Sequence, residues 1–365
     1  MIPVMLALPV LLFAQDKDCW SNYRGDGRLH GSTTAALPSD PGLIWNFKCS
    51  DGIKASPVVC DNTIVVGAVD GNVYGLTMSG KLSWKVLTGN SIEAPALIVD
   101  ETAFVGNLAG ELFAFDLKTG RIKWTYKTDN QIMGSPNYFS NTVDRVIMVG
   151  SYDYYLHGVD LKTGKGLWKY EADNFINGTP SVYKGMAVFG GCDGLLHQVN
   201  VASGKLYRKL EIATYVAGSA AIENGRAYVG DYDGKFSCID LGTMEVVWEF
   251  VNEEASQPFI ASPAVNGGRV YTGSRDKFVY CFDSETGKLV WKTNTGGQIE
   301  ASPVIAGNRL LVANMRGDLM ILDAKNGKVL WTYELGSPVY GNPAVVENYI
   351  FVGAQDGRIY CFGNK

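Results

Sequence analysis

Tryptophan recurs along this chain at a near-constant interval, and that interval restricts the fold more than any other feature. Trp45, Trp84, Trp124, Trp168, Trp248, Trp291 and Trp331 lie 39 to 44 residues apart, except for one gap of 80 that spans two periods. The midpoint of that gap is Arg208, in Gly204-Lys205-Leu206-Tyr207-Arg208. A fixed period of about 40 residues is the mark of stacked or radially repeated units. A second landmark opens each unit: Ala55-Ser56-Pro57, Ala94-Pro95, Gly134-Ser135-Pro136, Gly178-Thr179-Pro180, Gly218-Ser219-Ala220, Ala261-Ser262-Pro263, Ala301-Ser302-Pro303 and Gly341-Asn342-Pro343, eight in all.

Each unit reads as four strands. After the opening comes a β-branched run such as Thr63-Ile64-Val65-Val66, then an Asp-Gly hairpin turn (Asp70-Gly71, Asp193-Gly194, Asp233-Gly234, Asp356-Gly357). An aromatic-rich strand follows, then a second turn, then the strand that carries Trp. Four strands in about 40 residues make one propeller blade. The eighth unit stops at Cys361-Phe362-Gly363-Asn364-Lys365 before any Trp strand, while Leu43-Ile44-Trp45-Asn46-Phe47 is an orphan Trp strand ahead of unit one. Joining the two closes the ring without a free sheet edge. The expected fold is all-β: an eight-bladed β-propeller of four-stranded blades over 42–365, its last blade completed from the N-terminus.

Composition agrees. Glycine supplies 43 of 365 residues and charged residues only 19%, as suits short strands and tight turns. With 32 basic and 37 acidic residues, net −5, a nucleic-acid partner is not expected. Residues 1–14 (MIPVMLALPVLLFA) are wholly apolar. They are too few to cross a bilayer, which takes about 20, and match the core of a secretory signal. Residues 15–41 are then a lead-in segment. Asp16-Lys17-Asp18 before Cys19 does not fit a lipid-attachment site. The seven cysteines contain no C-x-x-C pair. One disulfide among Cys19, Cys49 and Cys60 is open, and the cysteines in strand patterns read as small buried hydrophobes.

The segment Ala114-Phe115-Asp116-Leu117-Lys118-Thr119-Gly120-Arg121-Ile122-Lys123-Trp124 resembles the tryptophan-docking motif of pyrroloquinoline-quinone-type β-propellers. Asp160 to Trp168, Asp283 to Trp291 and Asp323 to Trp331 repeat it. Asp240 to Trp248 keeps its ends but has Met244 where Gly is expected. The resemblance implies one of two activities. Quinoprotein dehydrogenases oxidise alcohols or sugars with a quinone and calcium in the central funnel. BamB-like propellers are non-enzymatic and bind partner proteins. The chain lacks the adjacent cysteine pair and the long blade insertions of the dehydrogenases, which favours the BamB-like branch.

The residue just before each opening should ring one mouth of the central channel. In blade order these are Lys54, Glu93, Met133, Asn177, Ala217, Ile260, Glu300 and Tyr340. The polar arc Glu300, Tyr340, Lys54 and Glu93 falls on consecutive blades, and with Asn177 forms the candidate site for a small polar ligand, a cation or a partner loop. The plainer reading is ion pairing at a wet mouth. Glu93 and Glu300 as a glycosidase pair are disfavoured, because Lys54 lies between them in ring order. His157 and His197 share one repeat position in neighbouring blades, where others carry Tyr74, Phe113, Tyr280, Met320 and Tyr360, and read as packing residues. The aromatic loop Tyr152-Asp153-Tyr154-Tyr155 and the acidic loop 253–259 lengthen the repeat and suit a protein or glycan contact. The expectation is an exported, monomeric binding module of the cell envelope, periplasmic or secreted, with another envelope protein as partner and no transmembrane span, metal or cofactor. The alternatives are a small quinone- and calcium-dependent oxidoreductase and an extracellular sensor or glycan-associated propeller.

Overall fold

Eight sheets, each built on four antiparallel strands, follow one another around the chain; the last takes its outer strand from the N-terminus, and Ser32–Thr33 adds in parallel to the inner strand Val304–Ala306 of blade seven. The structure, a computed structural model, describes residues 18–365 apart from 213, 214, 217 and 255; the apolar stretch 1–14 lies outside the described residues. Blade one runs Val58–Cys60, Thr63–Gly67, Asn72–Thr77 and Leu82–Leu87, and the others repeat it. The innermost strands meet their neighbours in sequence, and blade one meets blade eight, so the sheets form a closed ring. Closure is as the repeat count requires. Pro41–Lys48 adds to Arg358–Asn364 as the outer strand of blade eight, with Trp45 opposite Cys361.

Why the strands sit this way follows from burial. The second and third strands are covered on both faces (Ile64 to Gly67, Val73 to Leu76), whereas outer strands alternate. A flat blade therefore packs between two others and relies on the seam. In the motif Asp116-Leu117-Lys118-Thr119-Gly120, Asp116 Oδ1 accepts from Thr119 N at 3.0 Å and Thr119 Oγ1 at 2.7 Å. This tight turn presents the Leu117 carbonyl to blade one, whose Trp84 Nε1 donates to it at 2.9 Å. Gly120 has φ +70°, and a Cβ there would stand 2.7 Å from the Trp84 ring. The same indole-to-carbonyl bond joins Trp45 to Met78, Trp124 to Leu161, Trp168 to Val201, Trp248 to Ser284 and Trp291 to Ala324, at 2.8–3.2 Å.

The seam between blades four and five uses other residues for the same purpose. Gln198 Nε2 donates to Leu241 O at 3.0 Å, the carbonyl that an indole would occupy, and Arg208 donates to Gly242 O. With no ring pressing on the turn, Met244 takes the glycine position at φ +59° and is 7% exposed. Gln198, Arg208 and Met244 are thus one coupled replacement.

The lead-in segment is part of the ring's interior rather than an approach to it. Trp20 exchanges both backbone bonds with Val59 in blade one. The chain then visits the inner strands of blades two to seven and the turn after that of blade eight: Ser21 O accepts from Ile98 N, Gly27 O from Asn137 Nδ2 and Val182 N, Arg28 O from Ile222 N, His30 O from Val265 N, Gly31 O from Ile305 N and Ala36 O from Asn348 N. Arg24 is fully buried, its Nη atoms donating to the Pro303 and Pro263 carbonyls at 2.8 and 2.7 Å. Burial lowers its guanidinium to about 10. A Cys19–Cys60 disulfide ties the start of the segment to blade one, which resolves the cysteine pairing left open by the sequence. Residues 20–36 therefore plug one end of the channel, the end reached by the C-terminal residues of the inner strands.

Trp84 is 7% exposed. Trp84→Ala is expected to lower stability by about 3–5 kcal/mol in denaturant melts; a loss under about 1 kcal/mol would contradict the docking role. Arg208→Trp alone is expected to destabilise, because Gln198 and Met244 occupy the space of the ring. Combined with Gln198→Gly and Met244→Gly it is expected to recover at least about 1 kcal/mol. Additive effects in that series would show that the three positions are independent.

Candidate functional site

Plugging leaves the channel open at one end only, as a cup of about 160 Å³. Its wall comes from the unit openings. Two residues past Lys54, the side chain of Ser56 accepts from Asn342 N at 2.7 Å, Asn342 Oδ1 from Ser302 N at 2.6 Å, Ser302 Oγ from Ser262 N at 2.9 Å, Ser262 Oγ from Ser219 N at 2.9 Å and Ser219 Oγ from Thr179 N at 2.8 Å. Five openings thus supply an acceptor to the blade before them. Pro95 has no such side chain, and the belt runs from blade four round to blade one. The repeated Ser was visible as a landmark in the sequence, but its role needs the ring geometry. Tyr23, from the plug, lies at the base of the cup.

Of the residues singled out from the sequence, Lys54, Met133, Asn177, Ile260 and Tyr340 all line this cup; Ala217 lies outside the described residues. Lys54 Nζ bonds Glu93 Oε1 at 2.8 Å and stands 6.0 Å from the centre of the Tyr340 ring. Glu300 does not join them. Arg275, from the hairpin turn of blade six, binds its Oε1 through Nη2 at 2.6 Å and Nε at 3.0 Å. The four-member polar arc is therefore two separate ion pairs. Nothing in the repeat marks Arg275, which stands just before the Asp276-Lys277 turn, where other blades carry Val69, Tyr152 or Tyr232, and its partner is in the next blade. Asn177 donates Nδ2 to Cys192 Sγ at 3.0 Å, and its buried Oδ1 has no partner among the described residues.

The rim is chemically divided. Blades three to five carry Tyr152 stacked on Phe175 at 4.5 Å, Tyr154 against the same ring at 5.2 Å, and the edge-to-face pair Tyr215 and Tyr232. Tyr154, Tyr215 and Tyr232 are all more than two-fifths exposed. The loop 152–155 is thus part of an aromatic rim, whereas Phe259, at the end of the acidic loop, is fully buried core.

His157 and His197 hold separate structural networks. His157 pairs with Tyr126 Oη at 3.0 Å and Asp153 Oδ2 at 3.0 Å; His197 pairs with Tyr170 Oη at 3.0 Å and Asp193 Oδ2 at 2.9 Å. Blades with Tyr at this position use it likewise, as Tyr360 donates to Asp356 at 2.7 Å. Burial alone would raise the Asp153 carboxyl, but its bonds to His157 and to backbone amides outweigh this and hold it at about 2.

A quinone does not fit these residues. Pockets for drug-sized ligands hold roughly 300–1,000 Å³, well above the cup, and Glu93 and Glu300 are each committed to their own base. Among the described residues there is no group of three or more His, Cys, Asp or Glu able to hold a metal ion.

Solved structures share the fold. BamB from Moraxella catarrhalis is 18% identical and superimposes with a TM-score of 0.76 over 89% of this chain and 98% of that one. A europium-containing methanol dehydrogenase is 13% identical, TM-score 0.82, over 97% and 99%. The quinohemoprotein alcohol dehydrogenase from Comamonas testosteroni is 14% identical, TM-score 0.80, over 96% and 81%. No curated protein sequence matches. Asp153 contributes stability that is complete above its unfolded value near 4 and lost as pH falls towards about 2. The melting-temperature gap between native protein and Asp153→Asn should therefore be constant from pH 7 to about 4 and close below it; a gap unchanged at pH 2 would contradict this. The family model described as outer membrane protein assembly factor BamB matches residues 29–137, 141–249 and 275–364, and the chain belongs to that family.

Proposed function

We propose that the protein is an exported, non-enzymatic binding propeller that engages another protein of the cell envelope through the open mouth of its channel. The observation that carries this is the cup itself: closed below by residues 20–36, about 160 Å³ in volume, and surrounded by a broad rim. Exposed Tyr beside Arg is the composition of interface hot spots, and Tyr154, Tyr215, Tyr232 and Arg275 supply it at one face, with half-buried Tyr152 stacked on Phe175 among them. The Cys19–Cys60 disulfide suits an oxidising compartment, as export would provide. No helix among the described residues is long and apolar enough to cross a membrane. In the second reading, a quinone-dependent oxidoreductase, the favouring observation is the close superposition on methanol and alcohol dehydrogenases. Its cofactor would need more room than the cup offers.

Photo-crosslinking groups placed at Tyr154 and Tyr215, with Ser140 as a control on the plug side, test the assignment in intact cells. The expected result is a discrete adduct with one envelope protein from the first two positions, lost on Tyr152→Ala with Tyr232→Ala. Adducts from Ser140 alone would place the contact elsewhere, and no adduct from any position would remove the scaffold reading.

A further inference from the structure

A second cavity lies away from the mouth, on the plug side. It is a cleft of about 780 Å³ between plug residues 26–30 and the inner strands of blades two, three and four. Its size falls within the range of small-ligand pockets, roughly 300–1,000 Å³. One wall is apolar, from Val99, Tyr138, Phe139 and Val182. The charged groups pair off within it: Asp26 holds His30 at 2.5 Å, and Asp100 holds Arg145. The Glu223 carboxylate acts on His30 as well.

Two cations remain. Arg28 and Lys184 are both exposed, both border the cleft, and neither has a carboxylate partner among the described residues. Both are drawn to one ring: the Arg28 guanidinium stands 5.6 Å and the Lys184 ammonium 5.2 Å from the centre of Tyr183. Two like charges at one aromatic ring repel each other, and an anion near both would relieve that repulsion. The backbone that carries them is fixed. Arg28 O accepts from Ile222 N at 3.0 Å, Arg28 N donates to Asp26 Oδ1 at 3.0 Å, and Lys184 follows the inner strand Ser181–Tyr183. A firm apolar wall with two unpaired cations at its edge is the general form of a site for an anion with an apolar body.

We propose that this cleft binds a small amphipathic anion, a carboxylate or phosphate on an apolar body, with Arg28 and Lys184 taking the head and Tyr138, Phe139, Val99 and Val182 taking the body. The inference is independent of the mouth-face contact. The test uses the whole protein and the fluorescent apolar anion 1-anilinonaphthalene-8-sulfonate as probe. Binding should saturate at one probe per chain and be displaced by decanoate or by decyl phosphate, the more effective competitor identifying the head. Arg28→Ala with Lys184→Ala should weaken binding about tenfold or more, while its melting curve overlays that of the native protein because both side chains are exposed. Tyr154→Ala, on the opposite face, should bind as the native chain does. Equal affinity in the double variant, failure of both competitors, or displacement by inorganic phosphate as effective as by decyl phosphate would overturn the proposal.

Discussion

The ring depends on a bond between blades repeated at six of its seams: an indole N–H that reaches one carbonyl in the turn of the next sheet. A four-stranded blade cannot bury both of its faces alone, so the ring holds only if each seam is specified. The Trp supplies area and direction together, because its ring covers the neighbour's turn while Nε1 fixes where that turn sits. This couples the Trp to the Asp that shapes the turn and to the Gly that leaves room for the ring. The seam at Arg208 obeys the same constraint by different means, with Gln198 meeting the turn carbonyl and Met244 filling the vacated space.

The second constraint is what happens at the axis. Eight blades leave a channel, and this chain fills one end of it with its own residues 20–36, anchored by Trp20, Arg24 and the Cys19–Cys60 bridge. The plug turns a through-channel into a cup of about 160 Å³. The Ser belt completes the wall by satisfying the backbone amides that face inward. Exposed chemistry is left at the two faces: an aromatic rim with ion pairs at the mouth, and a cleft with two unpaired cations at the plug.

The ring and its closure were legible in the sequence because they rest on period and turn chemistry, both local. The strand of Trp45 lies beside that of Cys361, where a count of strands puts it. The mouth positions Lys54, Asn177 and Tyr340 were legible for the same reason. The pairing of Glu300 with Arg275 was not, since it joins residues of different blades and different repeat positions. The plug was also hidden. Its residues carry no periodicity, and their partners are mostly backbone groups spread over the blades, so nothing in 15–41 announces where it goes. The His157 and His197 networks were half legible: their shared position pointed to packing, but Tyr126 and Tyr170 as partners belong to the adjacent outer strands.

In the function proposed above, the cup is an anchor for surface contacts rather than a chamber for chemistry. The most direct measurement is a titration of the folded protein with pyrroloquinoline quinone and Ca²⁺, followed by equilibrium dialysis and by dye reduction with alcohols and sugars. The account predicts no stoichiometric uptake of the quinone and no turnover above that of the free cofactor. One quinone retained per chain, with calcium-dependent oxidation of any of these substrates, would contradict it.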